Sequence, residues 1–129
     1  MAKLSDSIKA AFQKPIFVHL ATLMPDGSPQ ASPVWVDIDG DAVLINSAQG
    51  RVKDKNMRRD ARVAISAVDP DNAYQPIMLR GKIVEITTEG ADAHIDKMAK
   101  KYLNKDKYPF RRPGEVRVIY RIEVDLAQG

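Results

Sequence analysis

The chain contains no cysteine, which excludes disulfides, thiolate metal sites and a cysteine nucleophile. It has two histidines. His19 falls in an apolar stretch and His94 in a helical one, and neither shares metal-ligand spacing with the other or with a carboxylate. No apolar run approaches the roughly 18 residues that a membrane span needs. The opening residues, Met1-Ala2-Lys3-Leu4-Ser5-Asp6, lack the apolar centre of a secretion signal, so a cytosolic location without a membrane partner is expected. Aromatic residues make up only 6% of the chain and are not interleaved with its basic clusters, which argues against nucleic acid. The GxSxG, HExxH, GxGxxG and phosphate-loop patterns are missing, and Ser32, Ser47 and Ser66 have no evident base. No self-contained set for covalent or acid–base catalysis can be named. If the chain is an enzyme, a cofactor does the bond-making.

What is present fits one soluble domain spanning residues 1–129, small but long enough for a single core. Residues 5–13 read as a short amphipathic helix capped by Ser5, with Ile8, Ala11 and Phe12 as its stripe, stopped at Pro15. Apolar residues 16–24, the turn Pro25-Asp26-Gly27-Ser28 and the alternating stretch 30–39 read as strand, turn and strand. Asp39-Gly40 marks a second hairpin into a strand over 42–47. A basic helix over 51–59 follows, then strands over 63–68 and 77–87. Gly81 in mid-strand suggests a bulge or a close backbone approach. A helix over 88–103, with Thr88 as candidate cap, and a clearly alternating last strand over 116–125 complete the pattern. Six strands in hairpins with about three helices do not suit a βαβ array; an antiparallel sheet curled into a small barrel suits them better.

The net charge is only +3, but basic residues gather at 51–62 and 97–112. The first cluster reads Gly50-Arg51-Val52-Lys53-Asp54-Lys55-Asn56-Met57-Arg58-Arg59-Asp60-Ala61-Arg62, with Arg or Lys at six of thirteen positions. It follows a strand that ends in Asn46-Ser47-Ala48-Gln49-Gly50. Cations in a first helical turn oppose the macrodipole at roughly 0.3–1 kcal/mol each. They become useful if a phosphate sits there, beside backbone N–H groups that the helix leaves free. On helical spacing Arg51, Lys55 and Arg58 share one face, and Lys53 lies near the turn. The alternative is a plain solvated basic face.

The segment from Gly50 to Ala64 resembles the signature of flavin- and deazaflavin-binding split β-barrel proteins. These are the pyridoxamine 5'-phosphate oxidase-like proteins and, nearer to this chain, the small coenzyme F420-dependent reductases. Lys53, Lys55, Asn56, Met57, Arg58, Arg59 and Asp60 match in order. Leu20-Ala21-Thr22-Leu23 with Pro25 to Gln30, Ser32-Pro33-Val34-Trp35, Asp69 to Tyr74 and Arg80-Gly81 extend the likeness over about residues 16–125.

The resemblance implies a mainly β fold, a six-stranded antiparallel split barrel with peripheral helices that works as a homodimer. It implies coenzyme F420, with FMN as the alternative. The cofactor phosphate would lie against Arg51, Lys53 and Lys55, and the ring near Ser32, Pro33, Val34, Trp35, Asn46 and Ser47. Tyr74, Gln75 and Arg80 would come from the partner subunit. Val52 and Asn56 belong to the matched segment and are counted with the binding set, although the side chains of Val52 and Asp54 are expected to face packing and solvent. Trp35, which shares its strand face with Pro33 and Asp37, either fills the core or edges the ring pocket. Tyr108, Phe110, Arg111 and Arg112 form either a clamp on the cofactor or a surface latch. No metal is implied.

The implied reaction is hydride transfer from reduced F420 to a small unsaturated or quinone-like acceptor. The alternatives are an FMN-binding pyridoxamine 5'-phosphate oxidase-related protein and a cofactor carrier without turnover. The chain is much shorter than the vitamin-B6 oxidases and lacks their C-terminal Arg/His/Trp pattern, so their own activity is not expected.

Overall fold

The structure, a computed structural model, describes residues 2–129. Helix α1 (Asp6–Gln13) is capped by Ser5, whose Oγ accepts the Ile8 amide at 3.2 Å. It buries Ile8, Ala11 and Phe12. Strands β1 (Val18–Leu23) and β2 (Pro29–Val34) form the first hairpin. Its turn is held by Asp26, which accepts from the Ser28 amide at 2.9 Å, and by Gly27 at φ 85°. The hairpin of β3 (Asp37–Asp39) and β4 (Ala42–Ala48) follows. Next come α2 (Val52–Arg59), β5 (Arg62–Asp69), the long β6 (Asn72–Thr87), α3 (Ala91–Leu103) and β7 (Arg117–Gln128).

All strands join one antiparallel sheet in the order β2-β1-β5-β6-β7-β4-β3. The edge strands β2 and β3 are neighbours in sequence, separated only by Trp35 and Val36. Three Cα–Cα steps span at most about 11 Å, so the sheet must curl until its two edges nearly meet. The sheet is not closed by a strand ladder; the chain alone joins its two edges there. Leu20, Val36, Val43, Ile45, Tyr120 and Ile122 fill its interior, with Phe12 and Ile8 of α1 packed against them.

The stretch over 30–39 is therefore two strands and not one, which makes seven strands among the described residues where the sequence suggests six. The break falls at the point where the chain crosses from one sheet edge to the other. The backbone of Val36, freed from any ladder, is satisfied by α3. Its amide donates to the Tyr102 hydroxyl at 2.8 Å, which itself donates to Ile16 O at 2.7 Å. Its carbonyl accepts from Lys101 Nζ at 2.7 Å. Thr88 does not cap α3. Gly90 stands at the cap with φ 74° and makes no side-chain cap bond, while Thr87 Oγ1 holds the Glu89 amide.

Gly81 is required by a close approach. A Cβ there would meet Glu123 O at 2.3 Å, beside a register shift between Arg80 and Gly81. Gly81→Ala is expected to lower the unfolding free energy by about 1–3 kcal/mol, read as a lower urea midpoint with an unchanged slope.

Burial pulls the Lys101 ammonium down to about 8, against the attraction of Asp37. The unfolded chain, with an ordinary lysine at 10.5, binds more protons over the interval between those values. Stability from this group accordingly rises with pH across that interval. The unfolding free energy of wild type should climb relative to Lys101→Met between pH 8 and about 10; urea titrations with a constant or shrinking difference would contradict this.

Candidate functional site

Strand β4 delivers the chain to Gly50, which turns at φ 92°. The turn is fastened by Asp54. Its buried carboxylate accepts the Gly50 amide at 2.9 Å on Oδ2, and Arg58 Nε at 2.9 Å together with the Tyr120 hydroxyl on Oδ1. Burial works to raise the Asp54 carboxyl, but the Gly50, Tyr120 and Arg58 donors outweigh it and hold it below the usual carboxylate range. Tyr120, fully buried, is pushed up by burial and by the adjoining carboxylate. Asp54 thus faces neither solvent nor an apolar wall. It is the charged hub of the turn, and this position is legible only once Tyr120 is known to lie beneath it.

With the turn held, Arg51 stands at the N-cap of α2 without a side-chain cap bond. Lys53 points with it into a cleft of about 150 Å³. The cleft is bounded by Pro33, Val34 and Trp35 from the end of β2, by Asn46 and Ser47 of β4, and by Phe17, Ile95, Tyr108 and Arg117. Lys53 is half-buried, and its ammonium is pulled down by burial and then by the neighbouring cations Arg51 and Arg117. Among the described residues no carboxylate pairs with Lys53. Arg117 is buried. Its Nε donates to Asn46 Oδ1 at 2.9 Å, its Nη1 donates to Glu115 at 2.6 Å, and its guanidinium lies 5.1 Å over the Tyr108 ring. Three cations therefore meet around one carboxylate. The Ser47 hydroxyl is buried without a hydrogen-bond partner. A buried, unpaired hydroxyl and uncompensated positive charge in one cleft are the features that an anionic, hydrogen-bonding ligand would relieve.

The aromatic wall is ordered. Trp35 stacks on Tyr102 with centroids 4.6 Å apart and planes 8° from parallel, and meets Tyr108 edge-on at 5.9 Å. Trp35 therefore does edge the cleft. Of the basic loop, Tyr108 lines the cleft and Phe110 packs edge-on against it, while Arg111 is spent on Asp92 and Asp96. Asn46 is held from behind: its Nδ2 lies 3.0 Å from both Ala91 O and His94 Nδ1, and His94 Nε2 lies 3.0 Å from Asp37.

Seven of the fourteen residues expected to bind cofactor converge on this cleft: Pro33, Val34, Trp35, Asn46, Ser47, Arg51 and Lys53. Ser32 lies one residue away, its hydroxyl also buried and unpartnered. Lys55 is exposed on α2 and Val52 is half-exposed. The Asn56 side chain is committed inward, to Thr22 Oγ1, to Met24 and as acceptor to Arg59. Tyr74 is 98% exposed and Gln75 bonds Asn72. Arg80 lines a separate, larger concavity of about 500 Å³, mostly apolar, with His19 and Leu126. One chain does not bring these last three to the cleft. Arg117, Tyr108, Phe17 and Ile95 complete it. Arg117 was hidden in a strand whose alternation reads as surface. The one available signal was Glu115, two residues before it in the loop that leads into β7.

No helix among the described residues is long and apolar enough to cross a membrane, and no cluster of metal-ligating side chains is found among them. Several solved structures share the fold. One named F420 reductase superposes with a TM-score of 0.84 at 28% identity, over 97% of this chain and 98% of that one. A conserved hypothetical protein of Mycobacterium tuberculosis gives 0.69 at 20% identity, over 96% of this chain and 82% of that one. HupZ of Group A Streptococcus gives 0.66 at 21% identity, over 96% and 91%. No curated protein matches the chain significantly. The sequence pattern of the family described as pyridoxamine 5'-phosphate oxidase matches residues 4–128. With that match over nearly its whole length, on a curled antiparallel sheet shared with an F420 reductase, the chain belongs to the pyridoxamine 5'-phosphate oxidase family.

Proposed function

We propose that the protein is an F420H2-dependent reductase whose cleft receives the phosphate-bearing part of the coenzyme. The observation that carries this reading is the pairing of Lys53 with Arg51 and Arg117: half-buried positive charge without enough negative charge beside it. A phosphate turns that mutual repulsion into attraction, and its oxygens take the backbone N–H groups that α2 leaves uncapped. The Ser47 hydroxyl, otherwise unpartnered, supplies a hydrogen bond to a ring edge, and Trp35 supplies a flat wall.

Bound in this way, reduced F420 supplies a hydride to a small unsaturated or quinone-like acceptor. The chain's own residues position the coenzyme, exclude water on the Trp35 side and support developing negative charge with cations. FMN fits the same phosphate contacts and is the second reading. The likeness to an F420 reductase at 28% identity favours the deazaflavin, and exposed Lys55 leaves a cation for carboxylates beyond the phosphate.

A homodimer is part of the proposal. Met78 and Leu126, nearly half-exposed, flank the larger apolar concavity on the sheet's outer side. Covering that surface with a second copy would bury it and give Tyr74, Gln75 and Arg80 a route to the partner's cleft.

Equilibrium binding of F420 and of FMN to purified protein tests the reading. Lys53→Ala should weaken whichever coenzyme binds by about 1.5–3 kcal/mol, the scale of a charge-assisted contact. An unchanged dissociation constant would remove Lys53 from the site. F420H2 oxidation with a quinone acceptor separates an enzyme from a carrier, for which binding without any turnover is the expected result.

A further inference from the structure

Behind the cleft a line of polar contacts runs from Arg117 to the surface, and the donors and acceptors along it admit a single assignment. The Arg117 Nε–H can only donate, so the Asn46 atom 2.9 Å from it is the carbonyl oxygen. Ala91 O can only accept, so the Asn46 atom 3.0 Å from it is the amide nitrogen. That nitrogen also faces His94 Nδ1 at 3.0 Å, which must then be the unprotonated acceptor. The ring proton sits on Nε2 and is donated to Asp37 Oδ2 at 3.0 Å. His94 is 9% exposed and Asp37 13%, so bulk water does not substitute freely for either contact. Burial works to raise the Asp37 carboxyl, but the His94 bond and the Ile38 amide hold it at about 2, and it remains an acceptor.

We infer that His94 is a positioning residue for the cleft: as a neutral imidazole it holds the Asn46 amide in the one orientation that anchors the Arg117 guanidinium. The inference rests on the reading of the cleft as an anion site, since it assigns His94 the task of aligning one of that site's three cations. A second proton on His94 Nδ1 sets donor against donor across 3.0 Å. Turning the amide over is no remedy, because it would face nitrogen to Arg117 Nε and oxygen to Ala91 O. Asn46 then withdraws, and Arg117 loses its Nε acceptor while keeping Glu115. Asp37 on β3 faces Nε2, Lys97 on α3 reaches the same carboxylate at 3.4 Å, Lys101 interacts with Asp37 electrostatically, and Arg117 on β7 lies beyond Asn46. Asp37 is thus shared among the Ile38 amide, His94, Lys97 and the field of Lys101, whereas among the described residues Asn46 is the hydrogen-bond partner at Nδ1. The geometry of the anion cleft is in this way linked to one imidazole proton.

The ligand-free full-length protein tests this by nitrogen-15 NMR. At pH 8, His94 Nδ1 should resonate as a bare acceptor and Nε2 as protonated. On acidification the Arg117 Nε–H resonance should shift with the same midpoint as the His94 ring. A protonated Nδ1 at pH 8, or an Arg117 Nε–H signal that stays fixed while His94 titrates, would overturn the inference. Binding of F420 gives a second arm. His94→Leu should raise its dissociation constant about tenfold at pH 8, as expected for losing an anchored charged donor. His94→Asn, which offers a non-titrating acceptor near the Nδ1 position, should recover to within about threefold of wild type and lose the acid-side weakening that wild type shows relative to it. A His94→Leu protein that folds and binds as wild type does would also overturn the inference. If instead F420 fails to bind, or Lys53→Ala binds it unchanged, the anion-site reading falls while the NMR coupling stands or falls by itself.

Discussion

The constraint on which this fold turns is covalent. The two edge strands of the sheet, β2 and β3, are joined by Trp35 and Val36 alone. No flat seven-stranded sheet can satisfy that linkage, because its edges would stand roughly 4.8 Å × 6 apart. The sheet must curl, and the seam that results has no strand ladder to satisfy the backbone of Val36, which is fully buried. Helix α3 repairs the seam: Tyr102 takes the Val36 amide, and Lys101 donates to the Val36 and Phe12 carbonyls. Burying a lysine ammonium is costly, and the depressed Lys101 value records that cost. The cost is offset because Lys101 serves the Phe12 carbonyl and gives the Val36 carbonyl a shorter bond than the 3.4 Å contact of the Tyr102 hydroxyl.

The same seam builds the cleft. Crossing from one sheet edge to the other leaves Trp35 outside the core and Val36 inside it. Trp35 then stacks on Tyr102, the residue that satisfies its neighbour's amide. Helix α3 also carries Ala91 and His94, which hold Asn46. Positions 91, 94, 98 and 101 follow the three- and four-residue spacing of one helix face. Satisfying the seam between the sheet edges and orienting the polar wall of the cleft are therefore tasks of one helix, and a shift of α3 would disturb both together.

Much of this was legible in residue order, and the parts that were not have a common physical cause. Hairpin turns announce themselves locally through Asp26-Gly27 and Asp39-Gly40, and Ser5 announces its helix. Gly81 signals a close approach, and its partner is Glu123. Lys53 and Arg51 stand out because their charge contradicts the helix dipole. In contrast, the split at Trp35 and Val36 is invisible to alternation, since both halves continue the same pattern and only the meeting of the sheet edges breaks it. Arg117 went unnoticed and Asp54 was misjudged for a related reason. A charged residue in a strand or on a short helix reads as surface until its buried counterpart is known: Asn46 and Glu115 for one, Tyr120 and the Gly50 amide for the other. Long-range pairing decides such cases, and a single sequence does not contain it. Tyr74, Gln75 and Arg80 have no common location within one chain.

The first turn of α2 holds charges of both signs, and their division explains its composition. Asp54 has the sign that the helix start favours and is consumed internally, fixing the Gly50 turn, Arg58 and Tyr120. Arg59 is likewise spent, on Leu23 O and Asn56. Arg51 and Lys53 have the disfavoured sign and receive no internal carboxylate to offset it, apart from the more distant influence of Glu115 on Arg51. A turn that needed only to be stable would not carry them. The anchored acid fixes the backbone of the turn, and on the proposed reading an anion in the cleft would relieve the repulsion that pulls the Lys53 ammonium down. Under that proposal binding and folding stability would be linked, since such a ligand would stabilise the native state where the free protein is least satisfied.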